Sequence, residues 1–372
     1  MINGIRRCLI AGVLTAILVH PSLSASAAPP PARETTKTLI DQLVKGDKAT
    51  AALIRVDGKD GKDDGWAYGA GVSDLRSGRP AAADGYFRIG SITKTFVATV
   101  VLQLVDEGRL ALTDPIERYL PGLVPHGSDV TVKQVLNHTS GLYDYMHEPG
   151  YSTNRWRGQD RFRHYEPQAL LKVAFADPAG STAPGSTWSY SNTNYIVAGL
   201  LIEELTGRPY GEEVKRRILR PLGLTQTFVP GDRAGLPTPH AHGYEVLANG
   251  KPVDATRMNP SLDWAAGEMV STGRDLNRFL AALVGGKLVS RSSLAAMRTT
   301  EATGAGFGYG LGLQKYALPC GKTVWGHSGE LIGYLTFAFT TDEGTRMTLS
   351  LNPSKLPVTT NEVFAIATAT FC

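Results

Sequence analysis

A serine and a lysine stand three residues apart within "FRIGSITKTF", as Ser91 and Lys94. A serine hydroxyl is a weak nucleophile until a neighbouring base takes its proton. Residues three apart share one face of a helix, so the Lys94 amine would lie over the Ser91 oxygen. The surrounding residues are apolar, and desolvation favours the neutral, basic form of a lysine. The alternative is a helix-capping serine beside a solvated lysine, but no other serine of the chain is followed by lysine at this spacing.

A second group, Tyr190 and Asn192, occurs in "WSYSNTNY", directly before a segment with helical periodicity. A tyrosine beside Lys94 can share its phenolic proton, and an amide can hold both the lysine and a substrate carbonyl. A turn that caps the following helix would also explain this segment. The pair becomes informative when it is considered together with Ser91 and with a third group.

That third group, His327 and Gly329, lies in "VWGHSGE", whose pattern predicts a strand. Glycine permits the close approach of a substrate that adds to the strand edge. The backbone N–H groups of Ser91 and Glu330 would then form an oxyanion hole, in which each donor lowers the barrier by about 3 to 4 kcal/mol. We expect His327 to supply positive potential or to relay a proton to Tyr190, although a lone histidine on a strand is more often structural.

The order of the three groups along the chain, S-x-x-K, then Y-x-N, then H-x-G, resembles that of the penicillin-recognising serine hydrolases. Within them the chain most closely resembles the secreted serine-type D-alanyl-D-alanine carboxypeptidases of the class C β-lactamase-like group. Further segments that resemble this group are "LVDEGRLALTDPI", "NHTSGLYDY", "PGSTWSYSNTNY", "GYGLGL" and "DWAAGEMVST", which contains Trp264. The positions of Cys320 and Cys372 resemble it as well.

The resemblance implies that a D-amino-acid peptide or a β-lactam acylates Ser91, and that water or an acceptor amine then attacks the acyl group. It implies no cofactor. The catalytic residues expected from it are Ser91, Lys94, Tyr190, Asn192 and His327, and the expected substrate contacts are Gly329, Glu330, Trp264 and Gln314. Whether Lys94 or Tyr190 takes the serine proton stays open at this point.

The chain departs from the carboxypeptidase pattern where that pattern grips the free carboxylate of the substrate. The pattern has an arginine a few residues before the first of the paired cysteines, and a hydroxyl residue directly after H-x-G. Here these positions hold Gln314 and Glu330. The arginine would have bound a carboxylate bidentately, whereas a carboxylate near 4 Å from an anionic terminus costs about 4 kcal/mol at a partly exposed site. The alternative is that Glu330 points to solvent and Lys315 supplies the missing cation.

Strand patterns occupy both ends of the chain, and helical patterns occupy the middle. Helices are expected from Ser91 to Glu107 and in "NYIVAGLLIEELTG", and "FGYGLGLQKYA" is expected to be a strand. The predicted fold class is α/β (α+β), an antiparallel sheet that is built from both chain ends and flanked by helices, as the resemblance also implies. Residues 28–108 and 295–372 should form the sheet domain and 109–294 an inserted mainly helical domain, with the active site at their interface.

The first residues predict export. Two arginines precede an apolar run, and small residues ending at Ala27 offer a cleavage site, so residues 1–27 are predicted to be a signal peptide. We expect a secreted protein without a membrane anchor after cleavage. The cysteines that remain, Cys320 and Cys372, predict one disulfide in an oxidising compartment, with two free buried thiols as the alternative.

The composition argues against several other classes of function. The net charge of +4 is small for 372 residues and the basic residues are dispersed, which gives no support for a nucleic-acid partner. The sequence has no G-x-S-x-G elbow and no H-E-x-x-H motif, so a general α/β-hydrolase and a metal hydrolase are disfavoured. We expect a monomer.

The leading hypothesis is a D-alanyl-D-alanine carboxypeptidase or transpeptidase that acts on cell-wall peptides and binds penicillin. The first alternative is a D-aminopeptidase, a D-stereospecific endopeptidase or an esterase with the same catalytic residues. The second alternative is a β-lactamase or a non-catalytic binder of β-lactams or muropeptides.

Overall fold

The computed structural model describes residues 32–58, 65–176 and 180–372. The predicted signal peptide, residues 1–27, lies outside the described residues. Among the described residues, no helix combines the length and the apolar character needed to cross a bilayer. The described chain forms an antiparallel sheet that is covered by helices on both faces, which confirms the predicted fold class.

Strands from both ends of the chain make up the main sheet. The strands of the described residues are β1 (Ala49–Asp57), β2 (Trp66–Asp74), β3 (Arg79–Pro80), β4 (Phe87–Arg88), β5 (Tyr244–Val246), β6 (Pro252–Asp254), β7 (Val270–Ser271), β8 (Glu301–Ala302), β9 (Gly308–Tyr309), β10 (Gln314–Ala317), β11 (Thr323–Leu331), β12 (Tyr334–Thr341) and β13 (Arg346–Pro353). Within this part of the chain, nine of them form one sheet in the order β3-β2-β1-β13-β12-β11-β10-β9-β8. The N-terminal β1 and the C-terminal β13 pair in its middle, with Leu53 opposite Ser350.

Helices cover both faces of this sheet. The helices of the described residues are α1 (Ala32–Lys45), α2 (Thr93–Asp106), α3 (Val132–Asn137), α4 (Pro167–Ala174), α5 (Thr193–Thr206), α6 (Tyr210–Val214), α7 (Arg220–Leu222), α8 (Gly273–Val284), α9 (Arg291–Arg298) and α10 (Thr360–Phe371). On one face, Ile40 of α1 and Phe371 of α10 share an apolar cluster with Ile54 of β1. On the other, Phe96 of α2 and Phe279 of α8 stack with their ring centroids 3.7 Å apart. Because both faces are covered, the central strands are apolar on both sides.

Helix α2 is buried around most of its circumference, from Thr93 to Leu104. A helix that is apolar on all sides needs packing partners on all sides, and α5 and α8 supply two of them. The hydroxyl of Thr95 donates to the carbonyl of Gly312 at 2.7 Å, which ties α2 to the turn before β10. A fixed, buried helix therefore carries the lysine of the S-x-x-K motif.

The helix predicted from Ser91 begins later than expected, at Thr93. Gly90–Ile92 instead form a 3-10 turn. Gly90 has a φ of +50°, and a Cβ at that position would lie 2.6 Å from the backbone nitrogen of Glu330. The contact with β11 therefore shapes this turn and leaves the serine at its surface, just before the helix.

The strand predicted in "FGYGLGLQKYA" is interrupted and forms β9 and β10. Gly312 lies between them with a φ of +68°, and a Cβ there would lie 2.6 Å from the Cβ atom of Ala98 on α2. The chain thus leaves the sheet to pass close to α2. β10 pairs with β11 only as far as Gln314 opposite Gly326, so in the described chain the following residues of β11 have no strand on that side.

The predicted division into residues 28–108 with 295–372, and 109–294, stays a prediction. Helix α8 lies inside the range predicted to be helical, but it bonds to the sheet. The amide of Asn277 donates to the carbonyl of Arg55 at 3.2 Å and accepts from the hydroxyl of Thr348 at 2.8 Å.

The two predicted disulfide partners are bonded in the structure. Cys320 and Cys372 form a disulfide with a Cα–Cα distance of 6.1 Å. The bond ties the end of α10 to the turn between β10 and β11. The alternative of two free thiols is therefore excluded in this structure.

Candidate active site

Ser91 lies against the end of β11 where, among the described residues, the β10 side has no neighbouring strand. A Cβ atom at Gly329 would lie 1.9 Å from the carbonyl oxygen of Ile89 and 3.0 Å from the nitrogen of Ser91. Since real Cβ contacts are not that short, the two backbones can approach each other only because residue 329 is a glycine. This explains why the H-x-G motif needs its glycine.

The N–H group of Glu330 points out of the sheet at this edge. A two-residue turn joins β11 to β12, and Leu331 and Tyr334 face each other at its two ends. In such a turn these two residues are hydrogen-bonded to each other, so Glu330, the residue before Leu331, directs its N–H away from β12. Ser328, two residues earlier, points the same way, because its N–H donates to Oε1 of Gln314 at 2.9 Å. The N–H groups of Ser91 and Glu330 therefore lie at one edge, where two donors can stabilise an oxyanion.

The side chain of Lys94 is fully buried beside Ser91. Its Nζ atom lies 2.9 Å from Oγ of Ser91, 2.8 Å from Oδ1 of Asn192 and 2.7 Å from the carbonyl oxygen of Ala266. The last two atoms can only accept, so the lone pair of a neutral amine is left facing the serine. Burial lowers the pKa of Lys94 to about 7, which makes the neutral form accessible near neutral pH.

Tyr190 also contacts the serine. Its hydroxyl donates to Oγ of Ser91 at 2.8 Å, and Nζ of Lys94 lies 4.9 Å from the centroid of its ring. Burial raises the pKa of Tyr190 well above its ordinary value, so the phenol stays protonated. Because Tyr190 donates to Ser91, the serine proton is directed toward Lys94. The geometry favours Lys94 as the base, a choice that the sequence left open.

Asp144 orients Asn192 and was not identified from the sequence. Nδ2 of Asn192 donates to Oδ2 of Asp144 at 2.9 Å, and Oδ1 of Asp144 accepts from the N–H of Met146 at 3.0 Å. A carboxylate can only accept, so it turns the amide oxygen of Asn192 toward Lys94. The available signal was the position of Asp144 in "NHTSGLYDY", one of the segments with a family resemblance.

His327 pairs with Tyr309 among the described residues, and not with Tyr190 as expected for a proton relay. The Nε2 atom of His327 lies 2.9 Å from Oη of Tyr309. Burial lowers the pKa of His327 to about 3. The ring is therefore neutral and does not supply the positive potential that was expected of it. Its position on β11 agrees with the predicted strand, and its side chain is hydrogen-bonded to Tyr309.

The hydrogen bonds behind Tyr190 run from His138 through Tyr309 to His327. The N–H of Ser191 donates to Nδ1 of His138 at 3.2 Å, which leaves the proton of that ring on Nε2. Nε2 of His138 lies 3.1 Å from Oη of Tyr309 and donates to it, so Tyr309 donates onward to His327. The ring of His138 packs with its centroid 4.3 Å from that of Tyr190. Through His138, this network, which the sequence did not reveal, packs behind the tyrosine that contacts Ser91.

The cleft that contains Ser91 has a volume of about 250 Å³, and no arginine or lysine side chain is among the described residues that line it. Gln314 lines it as a buried amide. The Nζ atom of Lys315 lies 5.5 Å from the ring centroid of Trp325, outside the cleft, so it does not supply the missing cation. The side chain of Glu330 lines the cleft while remaining exposed, and partial desolvation raises the pKa of its carboxyl group.

Trp264 does not line this cleft, so the expected substrate contact is not supported. Its indole packs against α5, where a Cβ at Gly199 would lie 2.5 Å from Cζ3, and meets the ring of Tyr210 edge-on at 4.8 Å. Trp264 lines a separate cavity of about 880 Å³ in the helical part of the molecule. Trp264 is therefore held by packing, because its indole fills the space above Gly199.

Asp263, the residue before Trp264, does line the cleft and was not identified from the sequence. Its Oδ1 atom accepts from the hydroxyl of Thr153 at 2.9 Å. Its Oδ2 atom is buried and has no hydrogen-bond partner among the described residues. Burial raises the pKa of Asp263 to about 7.

This arrangement is suited to acyl transfer. It combines a nucleophile, a base whose pKa lies near neutrality, a phenolic donor and two backbone N–H groups at one site. In the part of the chain that the structure describes, no group of three or more His, Cys, Asp or Glu side chains could hold a metal ion.

The chain matches the Beta-lactamase family over residues 37–370, which confirms the resemblance predicted from the three motifs. Putative penicillin-binding protein PbpX of Bacillus subtilis (strain 168) is 32% identical over 226 residues, which are 61% of this chain and 52% of PbpX. The chain thus spans about half the length of that relative.

Two solved structures are similar over most of the chain. A D-stereospecific amidohydrolase from Streptomyces sp. has a TM-score of 0.82 and 38% identity, with 91% of this chain and 98% of that chain covered. A D-amino acid amidase from Ochrobactrum anthropi SV3, complexed with D-phenylalanine, has a TM-score of 0.80 and 26% identity, with the same coverage.

Proposed function

Because the chain belongs to the Beta-lactamase family, we propose that this serine hydrolase cleaves amides of D-amino acids that carry a free α-amino group. One observation carries the proposal: the cleft at Ser91 is lined by the carboxylate of Glu330 and, among the described residues, by no arginine or lysine side chain. The D-configuration is supported by the similarity to a D-stereospecific amidohydrolase and to a D-amino acid amidase.

The charges of the cleft suit an amide better than a peptide with a free C-terminus. A terminal carboxylate about 4 Å from Glu330 would be repelled by about 4 kcal/mol at a partly exposed site. It would also lack the bidentate cation that binds carboxylates most strongly. The ammonia released from a primary amide brings no negative charge into the cleft. The α-ammonium group of the substrate is attracted by the carboxylates that line the cleft.

In the acylation step, Oγ of Ser91 attacks the amide carbonyl carbon while Lys94 takes the serine proton. The new negative charge on the carbonyl oxygen is stabilised by the N–H groups of Ser91 and Glu330. The C–N bond then breaks, and the proton held by Lys94 passes to the leaving nitrogen, which departs as ammonia. Tyr190, which donates to Oγ in the resting state, is placed to assist this proton transfer.

In the deacylation step, water attacks the ester carbonyl of the acyl-enzyme. Lys94, neutral again after the first step, takes a proton from the water. The bond between the acyl carbon and Oγ of Ser91 breaks, the serine recovers its proton, and the D-amino acid leaves. The two steps together consume one water and release one ammonia.

The test compares three substrates of the purified protein: D-alanine amide, L-alanine amide and a diacetyl-lysyl-D-alanyl-D-alanine peptide. We expect a higher kcat/KM for D-alanine amide than for either of the others, and no turnover in Ser91→Ala. Release of D-alanine from the peptide at a higher kcat/KM than ammonia from the amide would overturn the proposal. Equal rates for D-alanine amide and L-alanine amide would contradict the proposed specificity for D-amino acids.

A D-alanyl-D-alanine carboxypeptidase is the second candidate, and the similarity to the penicillin-binding relative favours it. Its distinguishing result is the preference for the peptide in the comparison above. Labelling by a fluorescent penicillin would support this candidate if the label is absent from Ser91→Ala. Rapid hydrolysis of the penicillin would indicate a β-lactamase. Noncovalent binding without turnover of any substrate would indicate a non-catalytic binder of β-lactams or muropeptides.

We also propose that the mature protein acts outside the cytoplasm. The disulfide between Cys320 and Cys372 supports this, because such bonds persist in oxidising compartments. N-terminal sequencing of protein recovered from the culture medium should begin just after Ala27. A cytoplasmic, uncleaved product would contradict the proposal.

A further inference from the structure

We propose that Asp263 binds the α-ammonium group of the substrate. This inference rests on the proposed function and names the group through which its substrate is recognised. The carboxylate of Asp263 lines the same cleft as Ser91, yet the residue is only 4% exposed. A buried carboxylate on the wall of a cleft can pair with a cation that enters the cleft.

One oxygen of this carboxyl group is hydrogen-bonded, and the other is buried without a hydrogen-bond partner in the part of the chain that the structure describes. Oδ1 accepts from the hydroxyl of Thr153 at 2.9 Å, and a Cβ at Gly267 would lie 2.9 Å from the same atom, so the group is closely packed. Oδ2 has no hydrogen-bond partner among the described residues. An unsatisfied buried polar atom destabilises the folded protein, and a ligand that donates to Oδ2 would remove that penalty.

Among the described residues, no cationic side chain near Asp263 hydrogen-bonds to it, although Nε and Nη1 of Arg88 and Nη2 of Arg157 are buried without partners. Arg88 donates from Nη2 to the carbonyls of Ala234, Thr256 and Met258. Arg157 donates from Nη1 to the hydroxyl of Tyr165 at 3.1 Å. Lys94 is held by the three oxygen atoms around its own amine. Because none of these side chains reaches Oδ2 within hydrogen-bond distance, a substrate ammonium group can become its partner.

Asp263 lies close to the base along the backbone as well. The N–H of Ala266 donates to the carbonyl of Asp263 at 2.8 Å, and the carbonyl of Ala266 accepts from Lys94. In an amino acid amide, the α-amino group and the carbonyl that Ser91 attacks are attached to the same carbon. A cleft of about 250 Å³ must hold both groups together. A carboxylate on its wall favours a charged α-amine over an N-acylated one.

The first test compares D-alanine amide with N-acetyl-D-alanine amide in the wild type and in Asp263→Asn. Asparagine can keep the bond with Thr153, so melting temperature should change little. We expect kcat/KM for D-alanine amide to fall about 30-fold, as for loss of a hydrogen bond to a charged group, and kcat/KM for the acetylated amide to stay within about threefold. Asp275→Asn, which removes a buried carboxylate of α8, is the matched control and should leave the ratio unchanged.

If the role of Asp263 were merely structural, or if it acted through Lys94, the substitution would lower kcat/KM for both substrates by the same factor. Equal losses in Asp263→Asn would therefore overturn the inference. So would an equal change of the ratio in the Asp275→Asn control. The preference between the two amides is the readout, and the absolute rate is not.

The second test does not depend on amide turnover. Wild-type hydrolysis of p-nitrophenyl acetate is inhibited with D-alaninol, which carries an ammonium group, and with 1,2-propanediol, which does not. We expect D-alaninol to inhibit at least about tenfold more tightly, and this difference to vanish in Asp263→Asn. Equal inhibition in the wild type overturns the inference without any variant. Inhibition that depends on Asp263, in a protein that cleaves no D-amino acid amide, would keep the inference and sink the proposed function.

Discussion

The Nζ atom of Lys94 lies 2.9 Å from the Oγ atom of Ser91, and its two other partners are oxygen atoms that can only accept. A neutral amine gives its two protons to those acceptors and turns its lone pair toward the serine. An ammonium group can satisfy all three contacts without moving. The lysine can therefore take up and return a proton with little rearrangement, as a general base requires.

Replacement of Lys94 by methionine should abolish this proton transfer while filling the buried space with an apolar chain of similar length. General base catalysis contributes about 10²- to 10⁴-fold, so we expect a loss of that size in the acylation rate. The measurement is the burst of p-nitrophenol when the protein is mixed with p-nitrophenyl acetate. Lys133→Met, at an exposed position, is the control. A Lys94→Met burst within about threefold of the wild type would rule out Lys94 as the base.

The acylation rate should rise with pH through the pKa of Lys94. Burial lowers this pKa to about 7, and the deprotonated form is the base, so activity is lost below the pKa and gained above it. The measurement is kcat/KM for p-nitrophenyl acetate, a substrate that does not titrate, between about pH 5 and pH 9. A rate that falls with pH in this range would contradict the assignment.

Asp144→Ala should lower activity because the amide of Asn192 is then free to turn its NH₂ group toward Lys94. The loss of one hydrogen bond to a charged group predicts about a tenfold or larger decrease in kcat/KM. Asp144→Asn, whose side-chain oxygen can still accept from Asn192, should retain more of the wild-type kcat/KM than Asp144→Ala does. Asp129→Ala, at an exposed position, should behave as the wild type. Full activity in Asp144→Ala would show that Asn192 is oriented by other means.

The parts of the site that the sequence predicted are those set by local spacing. Ser91 and Lys94 lie one helical turn apart, and Tyr190 with Asn192 directly precedes a strongly apolar helix that ends at a glycine, so each pair could be recognised within a short window. That these two pairs come together in one site was inferred from the resemblance to a known family. The sheet from both chain ends was predictable because strand patterns there are strong.

The parts that escaped prediction depend on tertiary contacts between single residues. Tyr309 and His327 meet only because β9 and β11 lie in one sheet, so the histidine could be placed on its strand but its partner could not be foreseen. Asp263 is one acidic residue among many until burial leaves its Oδ2 atom without a partner. The break between β9 and β10 follows from the close approach of Gly312 to α2, which leaves no signal in hydrophobic periodicity.

Gly329→Ala should damage the oxyanion hole more than it damages the fold. The new Cβ would lie 1.9 Å from the carbonyl oxygen of Ile89, so β11 must move away from the turn that holds Ser91. Loss of a well-placed oxyanion donor predicts about a 10²- to 10³-fold decrease in kcat. The measurement pairs kcat for p-nitrophenyl acetate with the melting temperature.

Gly235→Ala is the matched control, because a Cβ there meets nothing within 4 Å and the residue has no left-handed backbone. It should keep both activity and melting temperature. If Gly329→Ala keeps its activity, then the N–H groups of Ser91 and Glu330 do not act together on the substrate carbonyl. The close approach of the two backbones would then be a packing feature of β11, and the charge on the carbonyl oxygen would have to be stabilised by other donors in the cleft.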